Sequence, residues 1–441
     1  MANFSNCDED LRCHLLLNGI AIAFIATLSG SCGDRPSPPS TSDNPPDTVT
    51  ILGSITGEGQ DTIEAIFQPF TEATGIQVIY EGTDAFATLL PVRVEAGNAP
   101  DLALFPQPGL MADLARSGDL IPLDSVVSKD QLTAAYGDEW LQLGTVDNAP
   151  YGLWARADLK SLVWYRPDVF SEKGYDIPAT WEEMLALSDQ MAADGTPPWC
   201  IGIESGAATG WVGTDWIEDI LLRTSGPDVY DQWVQHEIPF TSPEIVEAFQ
   251  QFGAIALNPD YVYGGSVGII STPFGDAPLP LFTDPPGCYL HRQTNFIATF
   301  FPDDVVVGED VDVFLLPPID PEFGTPLLVA GTAFAMLNDR EEVRAVVEYL
   351  LTPEPHEIWV SQENYISPHQ QVSLDAYADP FMRTQAELLA NAETIRFDGS
   401  DLMPGAVGTG TFWTGIVDYV GGTDTETVLE RIEESWPKDN P

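Results

Sequence analysis

Five histidines, His14, His236, His291, His356 and His369, include no pair four residues apart. The two-histidine helical zinc site of a metalloprotease is therefore absent. Gly264-Gly265-Ser266-Val267-Gly268 has the spacing of a nucleophile elbow, in which a serine sits on a tight turn between a strand and a helix. Pro273 follows closely and no helical periodicity begins there, so the segment reads as a glycine-rich loop. Asp310-Val311-Asp312 lacks the further oxygens of a calcium loop and reads as a solvated turn. Gly57-Glu58-Gly59 lacks the third glycine of a dinucleotide fingerprint. With 68 Asp and Glu, acidic neighbours are unavoidable, and no spacing singles out a glycosidase pair. No catalytic residue, metal site or cofactor is expected.

The aromatic residues carry more. Trp154, Trp164, Trp199, Trp211, Trp216 and Trp413 stand among glycines, threonines and carboxylates, most densely in Gly210-Trp211-Val212-Gly213-Thr214-Asp215-Trp216. Neutral polyols are held by stacking their apolar faces on rings while fixed carboxylates, amides and guanidinium groups take the hydroxyls. Trp413 follows the loop Gly405-Ala406-Val407-Gly408-Thr409-Gly410-Thr411, which puts its ring at the start of a helix.

The elements that would hold these residues alternate. Thr48–Gly53 reads as a strand, 61–74 as a helix, 75–80 as a strand, 89–95 as a helix and 100–105 as a strand. That spacing predicts a parallel sheet covered by helices. Thr180 with Glu183 forms a capping box that opens a helix to about Ala193. Helices are expected over 217–224, 244–256, 341–351, 355–362, 412–420 and 425–436, and strands over 161–165, 312–318 and 327–337. No internal repeat appears.

The 441 residues suffice for two or three domains, each with its own core. Seventeen Lys and Arg against 68 Asp and Glu leave a formal charge of −51. Nucleic-acid binding is excluded by the shortage of cations, and the charge favours a neutral or cationic ligand. Hydrophobic residues at 44% and aromatics at 10% exclude a disordered acidic chain. Leu15–Leu28 is a short apolar run of signal-peptide length, followed by Ser29-Gly30-Ser31-Cys32 and a Pro/Ser-rich stretch to Asp47. Cys7 and Cys13 precede the run, so Cys200 and Cys288 remain as an even pair in an oxidising compartment, where a disulfide is expected.

The order of signal (1–31), Cys32, tether (32–47) and globular body resembles a bacterial lipoprotein lipidated at Cys32. The body from Val49 to Trp436 resembles the extracellular solute-binding proteins of carbohydrate ABC importers, the maltose-binding superfamily, nearest its α-glucoside subgroup. The residues carrying the likeness are 93–109, 199–211 and Gly287-Cys288-Tyr289-Leu290-His291-Arg292-Gln293, with Phe412-Trp413-Thr414 opening a late helix. The resemblance implies an α/β, type 2 periplasmic-binding fold: two Rossmann-like lobes joined by a hinge that the chain crosses more than once. Lobe 1 would comprise 48–155 and 322–365, and lobe 2 would comprise 156–321 and 366–441. It implies a cleft lined by Gln107, Lys160, Glu204, Trp211, Asp215, Trp216, Tyr289, Arg292 and Trp413. It further implies a monomer that captures a sugar, does no chemistry, and delivers its cargo to the permease subunits while a lipid anchor alone holds it to the outer face of the cytoplasmic membrane. The competing readings are a secreted glycoside hydrolase acting on α-glucosides and a cell-surface scaffold lipoprotein.

Overall fold

A computed structural model describes residues 47–362 and 365–438. The signal segment, Cys32 and all of the tether before Asp47 lie outside the described residues.

Strands β1 (Thr48–Gly53), β2 (Gln77–Gly82) and β3 (Leu102–Phe105) run parallel with β1 in the middle. Helical crossovers impose this direction, and burial on both faces explains the unbroken apolar reading of β3. The single helix expected over 61–74 is two, Glu58–Ile66 and Gln68–Thr74. Pro69 has no amide hydrogen with which to continue the first ladder and instead sits in the first turn of the second helix.

β4 (Leu153–Leu159) ends the first pass through this sheet. Lys160 and Ser161 alone separate it from β5 (Leu162–Tyr165), the centre of a second, antiparallel sheet with β6 (Leu290–Arg292) and β7 (Asp312–Leu315) as its edges. The chain then returns to the first sheet as β8 (Leu327–Met336), which lies antiparallel to β3 and β4 and parallel to β9 (Ile395–Phe397). The first sheet is therefore mixed rather than purely parallel, because β4 leaves it and β8 enters it directly from the second sheet. The chain passes between the sheets at Lys160-Ser161, at 316–326 and again just after Phe397. Backbone hydrogen bonds lace these crossings together: Lys160 N–H donates to Leu328 O, Asp398 N–H to Val329 O, and Leu316 N–H to Ser161 O.

Two large apolar cores follow. One holds Val49, Ile51, Leu104, Trp154, Val329 and Phe334; the other holds Trp199, Trp216, Phe249, Phe252, Phe412 and Ile416. Residues 366–441 were expected in lobe 2, but Tyr377, Met382, Leu389 and Phe397 pack into the first core, because β9 adds to the first sheet before the final crossing. The helix expected over 217–224 begins six residues earlier, at Trp211. Every residue from Val212 to Arg223 is buried, including the polar row Thr214, Asp215, Glu218, Asp219 and Arg223, which turns to the chain crossings rather than to solvent.

Candidate functional site

In open α/β sheets ligands bind beyond the carboxyl ends of the strands. Here those ends are Gly53, Gly82 and Phe105. The Tyr80 hydroxyl lies over Gly53, where a β-carbon would collide with it, and accepts from Ile55 N–H at 3.0 Å. Gln107, two residues past β3, takes the N-cap position of the Pro108–Arg116 helix, and its Oε1 is buried without a hydrogen-bond partner. Beyond β2, the Asp84 carboxylate abuts Gly206, a residue of the second core's side with φ of 55°. A side chain at Gly206 would meet that carboxylate and would also be strained. The 204–211 segment thus lies against the carboxyl-end rim of the first sheet.

Gly210 turns this segment into the Trp211–Thr224 helix at φ 117°, and any β-carbon there would strike the Trp413 backbone. The turn that leads into Trp211 therefore lies on the backbone of Trp413. The Trp211 ring is half-buried, with its centroid 5.3 Å from Phe274 and 6.2 Å from Phe296. Trp413 is 4% exposed, its indole N–H is unpartnered, and among the described residues it joins none of the hydrophobic clusters. The Glu204 carboxylate accepts from Gly206 N–H at 2.8 Å and shapes the loop.

Lys160 stands at the first crossing, buried, with its Nζ 5.2 Å from the Trp211 ring centroid. It donates to Asp215 Oδ1 at 2.7 Å and to Asp398 Oδ2, so one ammonium ties the first crossing, a helix of the second core and the last crossing. Burial works against its charge, but Asp215, Asp398, Asp401 and Glu218 together hold its pKa well above the ordinary lysine value. Burial pushes Asp215 up to about 7 against the pull of Lys160, and pushes Glu218 and Asp401 well above the usual carboxylate range, helped by Asp398. Asp398 stays low: the nearby ammonium outweighs its burial. Oxygens of Asp215, Glu218 and Asp398 lie within 4.8 Å of one another. The cation bridging Asp215 and Asp398 is Lys160 itself.

Arg292 lies behind this group, donating to Asp219 at 2.9 Å and standing 3.9 Å from Asp215 Oδ2. Its guanidinium covers the Trp216 ring at 5.5 Å, and Trp216 is fully buried against Trp199 and Phe252. Asp219 also accepts from Ser161, and Arg223 donates to Leu316 O and Pro326 O, so this layer clasps the first two crossings. Tyr289 is not brought to the others; it packs on Tyr175 at 5.6 Å, beside the disulfide between Cys200 and Cys288. The Gly264–Gly268 segment does begin a short helix, Gly265–Ser271, but turns rather than a strand precede it, so no nucleophile elbow forms.

Arg156 and Asp158 escaped the sequence reading, although two charges inside an otherwise apolar strand, Leu153-Trp154-Arg156-Asp158-Leu159 with alanines between, were a visible signal. Both are buried, with Nε and Oδ2 3.4 Å apart. The Arg156 guanidinium lies 4.1 Å from the Tyr365 ring centroid and 5.6 Å from that of Phe296. Asp398, Glu218 and Asp401 were missed for want of any local pattern, since only folding brings them to Lys160.

Residues 55–357 match the family model of the bacterial extracellular solute-binding proteins. The chain is 58% identical over 390 residues to the osmoprotective compounds-binding protein GgtB of Synechocystis sp., spanning 88% of this chain and 92% of that one. It is 44% identical over 397 residues to the alpha-glucosides-binding periplasmic protein AglE of Rhizobium meliloti, spanning 88% and 87%. Among solved structures, the solute receptor AcbH superimposes with a TM-score of 0.76 at 21% identity, covering 88% of this chain and 97% of that one. A chitin oligosaccharide binding protein gives 0.76 at 18% identity over the same shares. These likenesses carry the fold, a two-lobed type 2 periplasmic-binding architecture, and with the family match they place the chain among the bacterial extracellular solute-binding proteins.

Proposed function

We propose that this protein is the solute receptor of an ABC importer and that it captures a neutral, osmoprotective α-glucoside between its two lobes. The observation that carries this reading is the placement of the 204–211 segment, which leads into Trp211, against the carboxyl-end rim of β1–β3 at Asp84, with its Gly210 lying on the Trp413 backbone. The crevice so formed brings stacking rings and fixed polar groups to one place, which is the chemistry a polyol needs. The likeness to GgtB and AglE supports both halves of the ligand class. The formal charge of −51 opposes an anionic solute. Gln107, Glu204, Trp211 and Trp413 are assigned to the ligand. Lys160, Asp215, Trp216 and Arg292 are assigned to the hinge beneath it, within reach of the ligand only through Trp211. The lobes meet at the three chain crossings, and closure brings them together around the solute.

The protein acts as a monomer on the outer face of the membrane, tethered through lipid on Cys32, and hands its cargo to the permease subunits. It performs capture rather than turnover. A thermal-shift panel of neutral sugars, amino acids and sugar phosphates tests the reading. A ligand at a hundred times its Kd adds about 2.7 kcal/mol, enough for a clear rise in melting midpoint. A rise with α-glucosides alone supports the proposal; a rise with amino acids or phosphates in their place overturns it.

A further inference from the structure

β4 and β8 pair in antiparallel register, with Arg156 opposite Thr332, Ala157 opposite Gly331 and Asp158 opposite Ala330. Side chains alternate along a strand and directly opposed residues share a face. Arg156, Asp158 and Thr332 therefore form one polar patch in an otherwise apolar sheet. Two of its atoms, Asp158 Oδ1 and Thr332 Oγ1, are buried and have no hydrogen-bond partner. Asp158 is 3% exposed and Thr332 is 1% exposed. Folding alone gives no reason to keep them, because a buried polar atom without a partner is destabilising and an apolar residue of the same shape would serve better.

The surroundings say what the atoms are for. The register slips between Thr332 and Ala333, and such bulges re-aim side chains beside binding sites. The patch is flanked by the rings of Tyr365 and Phe296, and Phe296 also packs on Trp211 from the opposite core. Ala333 pairs with Phe105, the last residue of β3, so Thr332 and the patch around it lie just past the carboxyl end of that strand. A carboxylate oxygen and a hydroxyl, both buried beside a guanidinium that is itself edged by rings, match two hydroxyl groups on one sugar ring.

We infer that Asp158 and Thr332 are a hydroxyl-recognising pair of the solute crevice, in which Asp158 Oδ1 accepts from one hydroxyl of the glucosyl unit and Thr332 Oγ1 bonds its neighbour, while Arg156 holds the carboxylate in place. This rests on the α-glucoside reading above and names the residues that would read its ring.

The test uses the mature protein with maltose, sucrose, trehalose, methyl α-glucoside and the monodeoxy methyl α-glucosides, by isothermal titration. Asp158→Asn and Thr332→Val, each nearly isosteric, are expected to weaken binding of any sugar the wild type takes by at least about tenfold. The melting midpoint without ligand should not fall for Thr332→Val, whose hydroxyl makes no bond in the free protein; Asp158→Asn also removes the charge that faces Arg156, so its affinity is read beside that of Thr332→Val. One monodeoxy analogue should lose affinity for the wild type and show no further loss with Asp158→Asn. Wild-type binding that survives both substitutions overturns the inference and leaves the solute-receptor reading standing. A drop in ligand-free melting with unchanged affinity makes the pair structural and also overturns it. Wild-type protein that binds none of these sugars overturns the α-glucoside reading itself, and the inference with it.

Discussion

Replacing Lys160 with methionine keeps most of the aliphatic stem and removes the ammonium. Asp215 and Asp398 would then face each other, fully or almost fully buried, with no cation between them. Removing one partner of a buried ion pair costs about 3–5 kcal/mol, because the other charge stays buried without compensation. Here two carboxylates are left, so the upper part of that range applies where both are ionised. Protonation of one relieves the repulsion, and Asp215, already pushed up to about 7 with the lysine present, is the one to take the proton. The sign follows from linkage. A carboxyl whose folded pKa is raised binds a proton that the unfolded chain, titrating near about 4, does not. The folded variant therefore regains stability as pH falls from above about 7 towards about 5. Urea unfolding at about pH 8 and about pH 5.5 measures both effects without adding salt. A Lys160→Met loss of about 4 kcal/mol at the higher pH, shrinking by at least about 1 kcal/mol at the lower, is expected. A loss below about 1 kcal/mol at pH 8, or one that grows on acidification, would refute the hinge assignment.

Three further outcomes can be stated. Cys200→Ala with Cys288→Ala opens a link between residues 88 positions apart, and chain-entropy arguments give a loss of about 4–5 kcal/mol in denaturant unfolding; an unchanged midpoint would contradict this. Burial holds His291 at about 4 and His356 at about 3, so both rings should stay neutral at about pH 5 when followed by NMR. The unfolded chain then takes up those protons first, so these two groups withdraw stability as pH falls from about 6.5 to about 4 and contribute nothing above it; a ring titrating near 6.5 would show the burial to be wrong. With 68 acidic against 17 basic residues, self-repulsion opposes folding, and its range shrinks from about 10 Å at 0.1 M salt to about 3 Å at 1 M. The melting midpoint should rise over that interval, and a fall would show that attractive pairs dominate.

Much of the fold was legible because its strands are short, apolar and flanked by glycine: β1 has the expected bounds, and the Thr180 hydroxyl accepts from Glu183 N–H as expected. What the sequence hid has physical causes. The Trp211–Thr224 helix opens among Gly210, Gly213 and Thr214, poor helix formers, so its first turn, with Trp211 and Asp215, read as loop. The antiparallel entry of β8 depends on where the chain comes from rather than on its own residues. Of the candidate site, Gly210, just before Trp211, lies on the Trp413 backbone, and Lys160, Asp215 and Arg292 share one network, but that network is filled by its own ion pairs. Charges inside the otherwise apolar run of β4 were the overlooked signal: Arg156 and Asp158 are conspicuous among Leu153, Trp154, Ala155, Ala157 and Leu159.

The most direct test of solute capture is an equilibrium titration read by tryptophan fluorescence, since Trp211 and Trp413 are both assigned to the proposed solute crevice. Saturable one-to-one binding of a neutral α-glucoside, lost by at least about tenfold in Trp413→Ala, is the expected result. If no α-glucoside changes the signal while a charged solute saturates it, or if Trp413→Ala leaves the affinity intact, the crevice is not the sugar site.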